Sequence, residues 1–579
     1  PIRRVDRSAA LIQARPLVRN HQISTQDLLQ VDRPTPFSLP RPKLLQAGVK
    51  TLRILAIRVD FPSDATESTT GNGQFDYRTP AQFEQEDGHV IDQAPHDRLY
   101  FERHLEAMKA YYDAASFGQL QLTYRVAPNG LQDVYTLPNQ MAFYSPDVGF
   151  FDPLKVDRLV VFVRDAFAAA DLDPSITFAD YDAFIVVHAG SDLQHDRLQN
   201  SPSDLQTGFL RIGDDRPPVI VDGNREVREF IMMPETTSQD SNIGALNTTL
   251  THEFGHQLGL PDLYSTFNQA PGVGPFDLMD LESGTVDIGE AGEQIVSGVL
   301  PAGLGAWSRA FLGWLTPLEI SSDSVDVDLI ASWLEGSGTK AVKVPIAPGE
   351  YFLIENRQTD LDGDGVAFLN FQNGIVVGPS DAHKQPNREY DYLLPGSGVL
   401  IWHIDENVAL GDFNQNGESN WIENALQWDE LHRFVDVEEA DGIQNLGFTT
   451  EAIRAEDFFF MGNNELFGPS TSPDSRHYSE GNSHVTVHIP SVSALNMRIS
   501  VTRPHARQGW PMAIGGPAGT HAPVLADVNS DRFLETFMVS SDGRLYAWRH
   551  DGTRLITNTD IVKTVSFTGD TLTDPAAVF

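Results

Sequence analysis

The chain has 579 residues, of which 41 are Lys or Arg and 80 are Asp or Glu, so its formal net charge is −39. A field of this sign repels nucleic acid and anionic lipid and attracts cations, so we expect no nucleic-acid partner. The absence of cysteine excludes disulfides, thiolate zinc sites and cysteine nucleophiles, which leaves histidines and carboxylates as metal ligands.

The first half of the chain alternates between strand and helix patterns. Residues 1–48 are rich in proline and are predicted to be a leader or the remnant of a pro-segment. A strand pattern over residues 51–62 begins the folded part, helical spacing follows over 99–116, and "YDAFIVVHAG" from Tyr181 has the length of a buried strand. This alternation predicts an α/β or α+β domain over residues 49–322.

Short strands dominate the second half. "YFLIENRQ", "GVLIWHID" and "HVTVHIP" are separated by Gly, Pro and Asp, so residues 323–505 are predicted to form a β-rich, sandwich-like companion domain. Residues 506–579 have the pattern of strand, acidic turn, strand, turn and strand. Because one such sheet cannot bury itself, this stretch is predicted to be the start of a β-propeller repeat.

The stretch "HEFGHQLGLPD" is the strongest candidate for chemistry. His252 and His256 are spaced i, i+4, which places both rings on one face of a helix, about 6 Å apart along its axis. Glu253 is offset from them, where a carboxylate can take a proton from a metal-activated water without ligating the metal. Gly259 permits a left-handed turn and Pro261 cannot continue a helix, so the chain is expected to turn back.

The turn is expected to bring Asp262 within reach of the same ion. Three protein ligands leave one coordination position open, which favours a catalytic zinc over a structural one. A simple turn role for Asp262 is the alternative, since Asp is common in turns. Other carboxylates that could supply the third ligand lie further along the chain, at Asp280, Glu282 and Glu290. Apolar residues at helical intervals predict that a helix carries the motif: Ile243, Leu246, Leu250, Phe254 and Leu258.

The stretch "HEFGHQLGLPDLY" resembles the signature of the immune inhibitor A family of secreted zinc peptidases, which are relatives of the metzincins. "YYDAASFGQLQL", "GVGPFDLMD", "LGAWSRAFLGWLTP" and "VDVEEADG" resemble segments of that family in the same order, over roughly residues 50–445. The resemblance implies a metzincin-like fold. It also implies zinc ligation by His252, His256 and Asp262, with Glu253 as the general base.

Two further residues are implied by the same resemblance. Met279 in "FDLMD" is expected to form the Met-turn beneath the metal, and ordinary core packing is the alternative. Metzincins often place a tyrosine two residues after that methionine, but Leu281 stands there. Tyr264 is therefore the candidate transition-state stabiliser, with a buried structural tyrosine as the alternative.

Three oxygen-rich loops are candidate calcium sites, and plain turns are the alternative for each. "DFNQNGESNWIE" fits the twelve-residue calcium-loop pattern, and "DLDGDG" repeats its early spacing. "DVNSDRFLE" resembles the calcium loops of integrin-type propeller blades. The candidate ligands are Asp412, Asn414, Asn416, Glu423, Asp360, Asp362, Asp364, Asp527, Asn529, Asp531 and Glu535.

The resemblance, together with the histidine motif, implies a secreted, extracellular zinc endopeptidase that hydrolyses peptide bonds of proteins through a metal-activated water, and the oxygen-rich loops predict calcium as a structural ion. No apolar run approaches the roughly 20 residues that span a bilayer, so no membrane span is expected. The sequence begins without an initiator Met or an apolar signal region, so it is expected to be a processed form or a fragment. The alternative is a catalytically silent adhesion or scaffold protein that binds a surface ligand through the propeller segment. Glu253 favours the enzyme, because a silent scaffold needs no base there.

Overall fold

The computed structural model describes residues 2–4, 51–149, 152–213, 216–280, 286–288, 295–320, 324–447, 453–479, 481–503, 523–526, 534–539, 545–549 and 552–553. The helices in these ranges are α1 (Pro80–Asp87), α2 (Arg98–Ala115), α3 (Met141–Tyr144), α4 (Pro153–Asp171), α5 (Leu246–Gln257) and α6 (Ala306–Phe311). The strands of the first half are β1 (Ile2–Arg4), β2 (Thr51–Asp60), β3 (Gln121–Ala127), β4 (Tyr135–Thr136), β5 (Ala183–His188), β6 (Gly208–Arg211), β7 (Val219–Val221), β8 (Arg225–Val227), β9 (Glu229–Pro234), β10 (Ile243–Gly244), β11 (Val286–Ile288) and β12 (Ile295–Ser297).

The second half contains mainly strands. They are β13 (Leu318–Glu319), β14 (Ser324–Ile330), β15 (Ala341–Ala347), β16 (Glu350–Arg357), β17 (Phe368–Gln372), β18 (Ile375–Ser380), β19 (Gly398–Asp405), β20 (Val435–Val437), β21 (Leu466–Phe467), β22 (Thr486–His488), β23 (Asn496–Thr502), β24 (Val524–Ala526), β25 (Glu535–Val539) and β26 (Leu545–Trp548). The protein is mixed α/β with several sheets and few helices, and its described residues form no closed barrel. This architecture is compatible with the predicted mixed and β-rich fold, and the division into domains stays a prediction.

One mixed sheet organises the first half. Its strand order is β3-β2-β5-β9-β6, with β4 also beside β2. Neighbouring strands are parallel except at β6, which runs antiparallel to β9 and lies at the edge. Every residue of β5 is buried, as expected for a parallel strand that is covered on both faces. Helix α5 packs beside β6 and β9, so the edge strand borders the helix that carries the histidine motif.

The companion part contains two larger sheets besides the two-stranded sheet of β17 and β18. One has the order β13-β15-β16-β19-β20 and the other β14-β23-β22-β21. Ile354 and Ile401 from the first sheet share a buried cluster with Leu329, Ile499 and Val501 from the second. Burial of apolar side chains between the sheets stabilises this part of the chain.

The two halves also share a core. The larger buried cluster includes Phe254 of α5 together with Trp402 of β19, so it extends across position 322. A buried ion network accompanies it: Arg309 of α6 pairs with Glu355 of β16 at 2.9 Å, and Trp402 Nε1 donates to the same carboxylate at 3.1 Å. A buried charge is costly unless it is paired. Separating Arg309 from Glu355 would therefore be unfavourable, and the network favours the observed packing of the two halves.

One sequence prediction was wrong at the start of the motif helix. Ile243 lies in β10, where it pairs with Val296 of β12 in parallel register, and α5 begins only at Leu246. The backbone of Ile243 completes a small sheet, a long-range contact that the helical spacing of apolar residues cannot reveal. The other apolar positions, Leu250 and Phe254, are buried in α5 as predicted.

The chain ends are described only in part. Ile2–Arg4 pairs with Val286–Ile288, and the rest of the predicted leader lies outside the described residues. Near the other end, β24, β25 and β26 form a three-stranded antiparallel sheet, whereas the acidic turn of the predicted propeller repeat lies outside the described residues. Among the described helices, none has both the length and the apolar composition needed to cross a bilayer.

Candidate metal centre

Helix α5 presents the histidine motif. Its N-cap residue, Ala245, makes no capping hydrogen bond through its side chain, but Asp92 Oδ2 accepts a hydrogen bond from Leu246 N at 2.8 Å and stabilises the helix start from another segment. The helix buries Leu250 and Phe254 against the core. Because these buried side chains fix the rotation of the helix about its axis, the side chains of His252 and His256 project from the face that is not buried in the core.

The chain turns back after α5 as the sequence predicts. The helix ends at Gln257, and Gly259 adopts a φ of +98°, a left-handed conformation that favours glycine. Leu260 N donates to Gly255 O at 3.0 Å, which closes the turn. Asp262 then returns toward the exposed face of the helix.

Three ligand atoms converge at this point. His252 Nε2 lies 3.1 Å and His256 Nε2 3.2 Å from Asp262 Oδ1, and all three atoms lie within 4.8 Å of one another. Ligands bound at about 2.0–2.1 Å to a tetrahedral zinc ion are separated by about 3.3 Å. The geometry of the three side chains therefore fits a zinc ion.

The Nδ1 atoms of His252 and His256 form hydrogen bonds that fix the tautomer required for metal binding through Nε2. His252 Nδ1 donates to Leu278 O at 3.0 Å, and His256 Nδ1 donates to Leu260 O at 2.8 Å. A carbonyl oxygen can only accept, so the proton of each neutral ring lies on Nδ1 and the lone pair on Nε2 is left for a metal. Such supporting hydrogen bonds are typical of histidine ligands.

The charges in the site favour a cation. Burial lowers the pKa of the His256 ring, but the charge and hydrogen bond of Asp262 outweigh burial and raise that pKa to about 9. Burial also lowers the pKa of His252, but the hydrogen bond and charge of Asp262 together with the charge of Glu253 outweigh burial and raise that pKa. Burial raises the pKa of Asp262, but the two histidines hold it well below its usual range. The Asp262 carboxylate therefore stays charged. Its negative charge favours protonation of the two histidine rings, and a metal ion can take the place of those protons.

Glu253 lies beside the three ligands and is not one of them. Its carboxylate Oε2 accepts a hydrogen bond from Phe209 N of the edge strand β6 at 2.7 Å. The side chains of His252 and His256 are 12% and 16% exposed, so the site is partly open to solvent. The hydrogen bond from Phe209 N engages one of the two carboxylate oxygens of Glu253.

Met279 lies against the motif helix. It is fully buried, and a β-carbon added to Gly255 would lie only 2.6 Å from its Sδ atom. Met279 N donates to Asp277 Oδ1 at 2.9 Å, and Leu263 N donates to Met279 O at 2.8 Å. The turn that holds Met279 is therefore tied to the segment of Asp262 and fills the space behind the helix.

Tyr264 faces the same site. Its side chain is buried, and its ring centroid is 6.4 Å from that of His252. Burial raises the pKa of Tyr264 well above 10, and the charges of Asp262 and Glu253 add to the effect. The hydroxyl therefore stays protonated and can donate a hydrogen bond, and its catalytic role stays a prediction.

The alternative third ligands do not compete with Asp262 among the described residues. Asp280 Oδ2 accepts from the backbone N–H groups of Gly272, Val273 and Gly274 at 2.7–2.8 Å, so it holds a loop together. It belongs to no group of candidate ligands with the two histidines. Glu282 and Glu290 lie outside the described residues.

Sequence reasoning missed one residue that touches the site, Asn424. Asp262 N donates to Asn424 Oδ1 at 3.0 Å, and Asn424 Nδ2 donates back to Asp262 Oδ2. The two residues are 162 positions apart. No local pattern in the sequence indicates a function for Asn424. It directly follows the twelve-residue candidate calcium loop, which ends at Glu423.

Two of the candidate calcium loops are described. Asp360 and Asp362 lie within 4.8 Å of Glu389, a buried carboxylate that sequence spacing did not identify, whereas Asp364 is not part of this group. Glu389 Oε1 also accepts a hydrogen bond from Leu361 N at 2.9 Å. Carboxylates at this spacing can bind calcium or form a hydrogen-bonded turn.

The twelve-residue loop is closed by its own hydrogen bonds. Asp412 Oδ1 accepts from Asn416 N at 3.0 Å, and Asn414 Nδ2 donates to Glu423 Oε1 at 2.9 Å. The four candidate ligands therefore lie around one loop. In the third loop, Glu535 begins β25, whereas Asp527, Asn529 and Asp531 lie outside the described residues.

No protein-family model and no curated protein matches this chain. The likeness of "HEFGHQLGLPDLY" to immune inhibitor A peptidases therefore stays a prediction. The function has to be inferred from the geometry of the metal centre.

Proposed function

We propose that the protein is a zinc endopeptidase related to the immune inhibitor A peptidases. The observation that carries the proposal is the convergence of His252 Nε2, His256 Nε2 and Asp262 Oδ1 beside a carboxylate that is not a ligand, that of Glu253. Two imidazole nitrogens and one carboxylate oxygen form a donor set used by catalytic zinc, with the fourth position left for water or substrate. Among the described residues, no fourth His or carboxylate joins this group.

The chemistry is hydrolysis of a peptide bond. Zinc bound by the three residues supplies Lewis acidity, which polarises the carbonyl and acidifies water. Glu253 takes the proton of the attacking water and returns it to the leaving amine, so it is unchanged after one turnover. Its hydrogen bond from Phe209 N holds the carboxylate beside the ligands. Tyr264 is the proposed donor to the oxyanion that forms in the transition state.

The edge strand offers a place for an extended peptide. Among the described strands, β6 has only β9 as a neighbour. An extended chain that pairs with the outer side of β6 gains backbone hydrogen bonds, and the strand passes directly by Glu253 through Phe209. This placement supports an unfolded or loop segment of a protein as substrate.

The wider proposals concern architecture and location. We propose a metzincin-like topology for residues 49–322, a companion domain over 323–505 and the beginning of a propeller repeat over 506–579, in a secreted, extracellular protein. The propeller segment is proposed to bind a surface ligand. The silent scaffold is the second candidate function, and it predicts zinc binding without turnover.

Removal of zinc should abolish activity. We expect the purified protein to contain about one zinc, to hydrolyse casein, to lose this activity with 1,10-phenanthroline and to regain it when zinc is restored. A chelator selective for calcium serves as the control, because it removes calcium while leaving the zinc in place. Zinc-loaded protein that cleaves no protein substrate would favour the scaffold, and protein that binds no zinc would contradict the site.

Calcium should stabilise the fold separately from zinc. We propose that it binds at the loops of Asp360 and Asp412, given the net charge of −39 and the oxygen-rich groups there. A ligand that binds only the native state stabilises it by about 2.7 kcal/mol at a hundredfold excess over its dissociation constant. Thermal melts of zinc-loaded protein with and without calcium measure this, and equal midpoints would contradict it.

A further inference from the structure

Asn424 lies where the companion part of the chain meets the candidate metal centre. Its side chain is almost fully buried, and its amide forms a pair of hydrogen bonds with one residue, Asp262. The amide oxygen accepts from the Asp262 backbone, and the amide nitrogen donates to the Asp262 carboxylate. The backbone position and the carboxylate orientation of Asp262 are therefore set by the same side chain.

The two carboxylate oxygens of Asp262 have different partners. Oδ1 faces both histidine Nε2 atoms, whereas Oδ2 accepts from Asn424 Nδ2. A carboxylate without this restraint can rotate about its terminal torsion, which is broad. The amide removes this freedom and reserves one oxygen for the metal.

Neighbouring contacts hold Asn424 itself in place. Asn424 O accepts from Thr266 Oγ1 at 3.0 Å, and Gln427 Nε2 donates to Leu263 O at 3.3 Å. Arg433 Nη1 donates to Gly272 O at 3.1 Å. The segment over residues 424–433 thus contacts the metal loop at several points between 262 and 272.

We propose that Asn424 is a positioning residue for the metal: it orients Asp262 for ligation through one oxygen, so that the companion part completes the zinc site. The inference rests on the proposed function, because it requires that Asp262 bind zinc. Supporting hydrogen bonds of this kind typically change metal affinity by about 10- to 100-fold. Without the amide, the metal loop keeps its other contacts, but the Asp262 carboxylate is restrained only by the two histidines and Tyr264.

The test is the Asn424→Gly variant of the full chain. Asn424 has a φ of +51°, so glycine removes the amide without adding backbone strain. Asn373→Gly is the matched control, since Asn373 has a φ of +53° in an exposed turn between β17 and β18. Zinc affinity is measured by competition with a chromophoric chelator, and the ligand geometry by the visible absorption of the cobalt-substituted protein.

We expect zinc affinity to fall about 10- to 100-fold in Asn424→Gly and the cobalt band to shift, while Asn373→Gly matches wild type. Asn424→Asp keeps the shape, and its ionised carboxylate cannot donate to Asp262 and repels it, so at a pH where it is ionised it should lose at least as much affinity and gives a second measurement if the glycine variant does not fold. Wild-type affinity and an unchanged cobalt band in either folded variant would overturn the inference alone. Absence of zinc binding by the wild-type protein would overturn the proposed function together with it.

Discussion

Zinc-loaded Glu253→Gln should hydrolyse peptide bonds about 10²- to 10⁴-fold more slowly than wild type, because a carboxamide cannot accept the proton of the attacking water. The variant should bind zinc normally, since Glu253 is not among the three converging ligands. The hydrogen bond from Phe209 N can be kept, because the glutamine side chain retains a carbonyl oxygen. Steady-state kinetics on a peptide substrate, combined with metal analysis, measures both quantities.

Glu226→Gln is a suitable control for this measurement. Glu226 lies in β8 with its side chain 64% exposed, so the same substitution there should change neither zinc content nor activity. If zinc-loaded Glu253→Gln retained the activity of wild type, the proton would have to be taken by another group. That result would contradict the role proposed for Glu253.

Asp262→Ala should lose both zinc and activity. It removes one of three ligands, so we expect the zinc affinity to fall by more than the roughly 100-fold upper range for loss of a supporting residue. The substitution also leaves the amide of Asn424 buried without this partner, which adds a cost to folding. Metal analysis after dialysis against a weak chelator, with thermal melts to verify the fold, measures the outcome.

Asp280→Ala provides the contrast for Asp262→Ala. Asp280 is buried and accepts three backbone hydrogen bonds, so its loss should lower the melting temperature. We expect the folded fraction of this variant to retain stoichiometric zinc. Tight zinc in Asp262→Ala combined with zinc loss in Asp280→Ala would place the third ligand at Asp280.

Local patterns were sufficient to predict several elements of the fold and to select the residues that converge in the candidate site. The strand "GVLIWHID" was predicted over the residues that β19 occupies, because a run of apolar residues bounded by turn residues encodes a buried strand. The spacing of His252 and His256 follows from helix geometry alone, and Gly259 marked the turn before Asp262. These features depend on neighbours fewer than about a dozen residues away.

Contacts between distant segments decided the rest. Ile243 has the spacing of a helical residue, but pairing with Val296 makes it a strand. Glu389 joins Asp360 and Asp362 because the chain folds back on itself, although it lies outside their loop in sequence. Burial and backbone pairing of this kind override local preference, since the free energy of tertiary packing exceeds differences in propensity.

By itself, the sequence determined the candidate ligand types, the helix that presents the two histidines and the turn that returns Asp262, because residue identities are given directly and the helix and turn depend on local backbone geometry. Only the tertiary structure decided that Asp262 Oδ1 faces both histidines and that Asn424, 162 positions away, holds the other oxygen. The physical reason is that a carboxylate is oriented by whichever buried donors surround it. Those donors are brought together because the segment over residues 424–427 packs against the loop that carries Asp262, a long-range contact that no sequence spacing records.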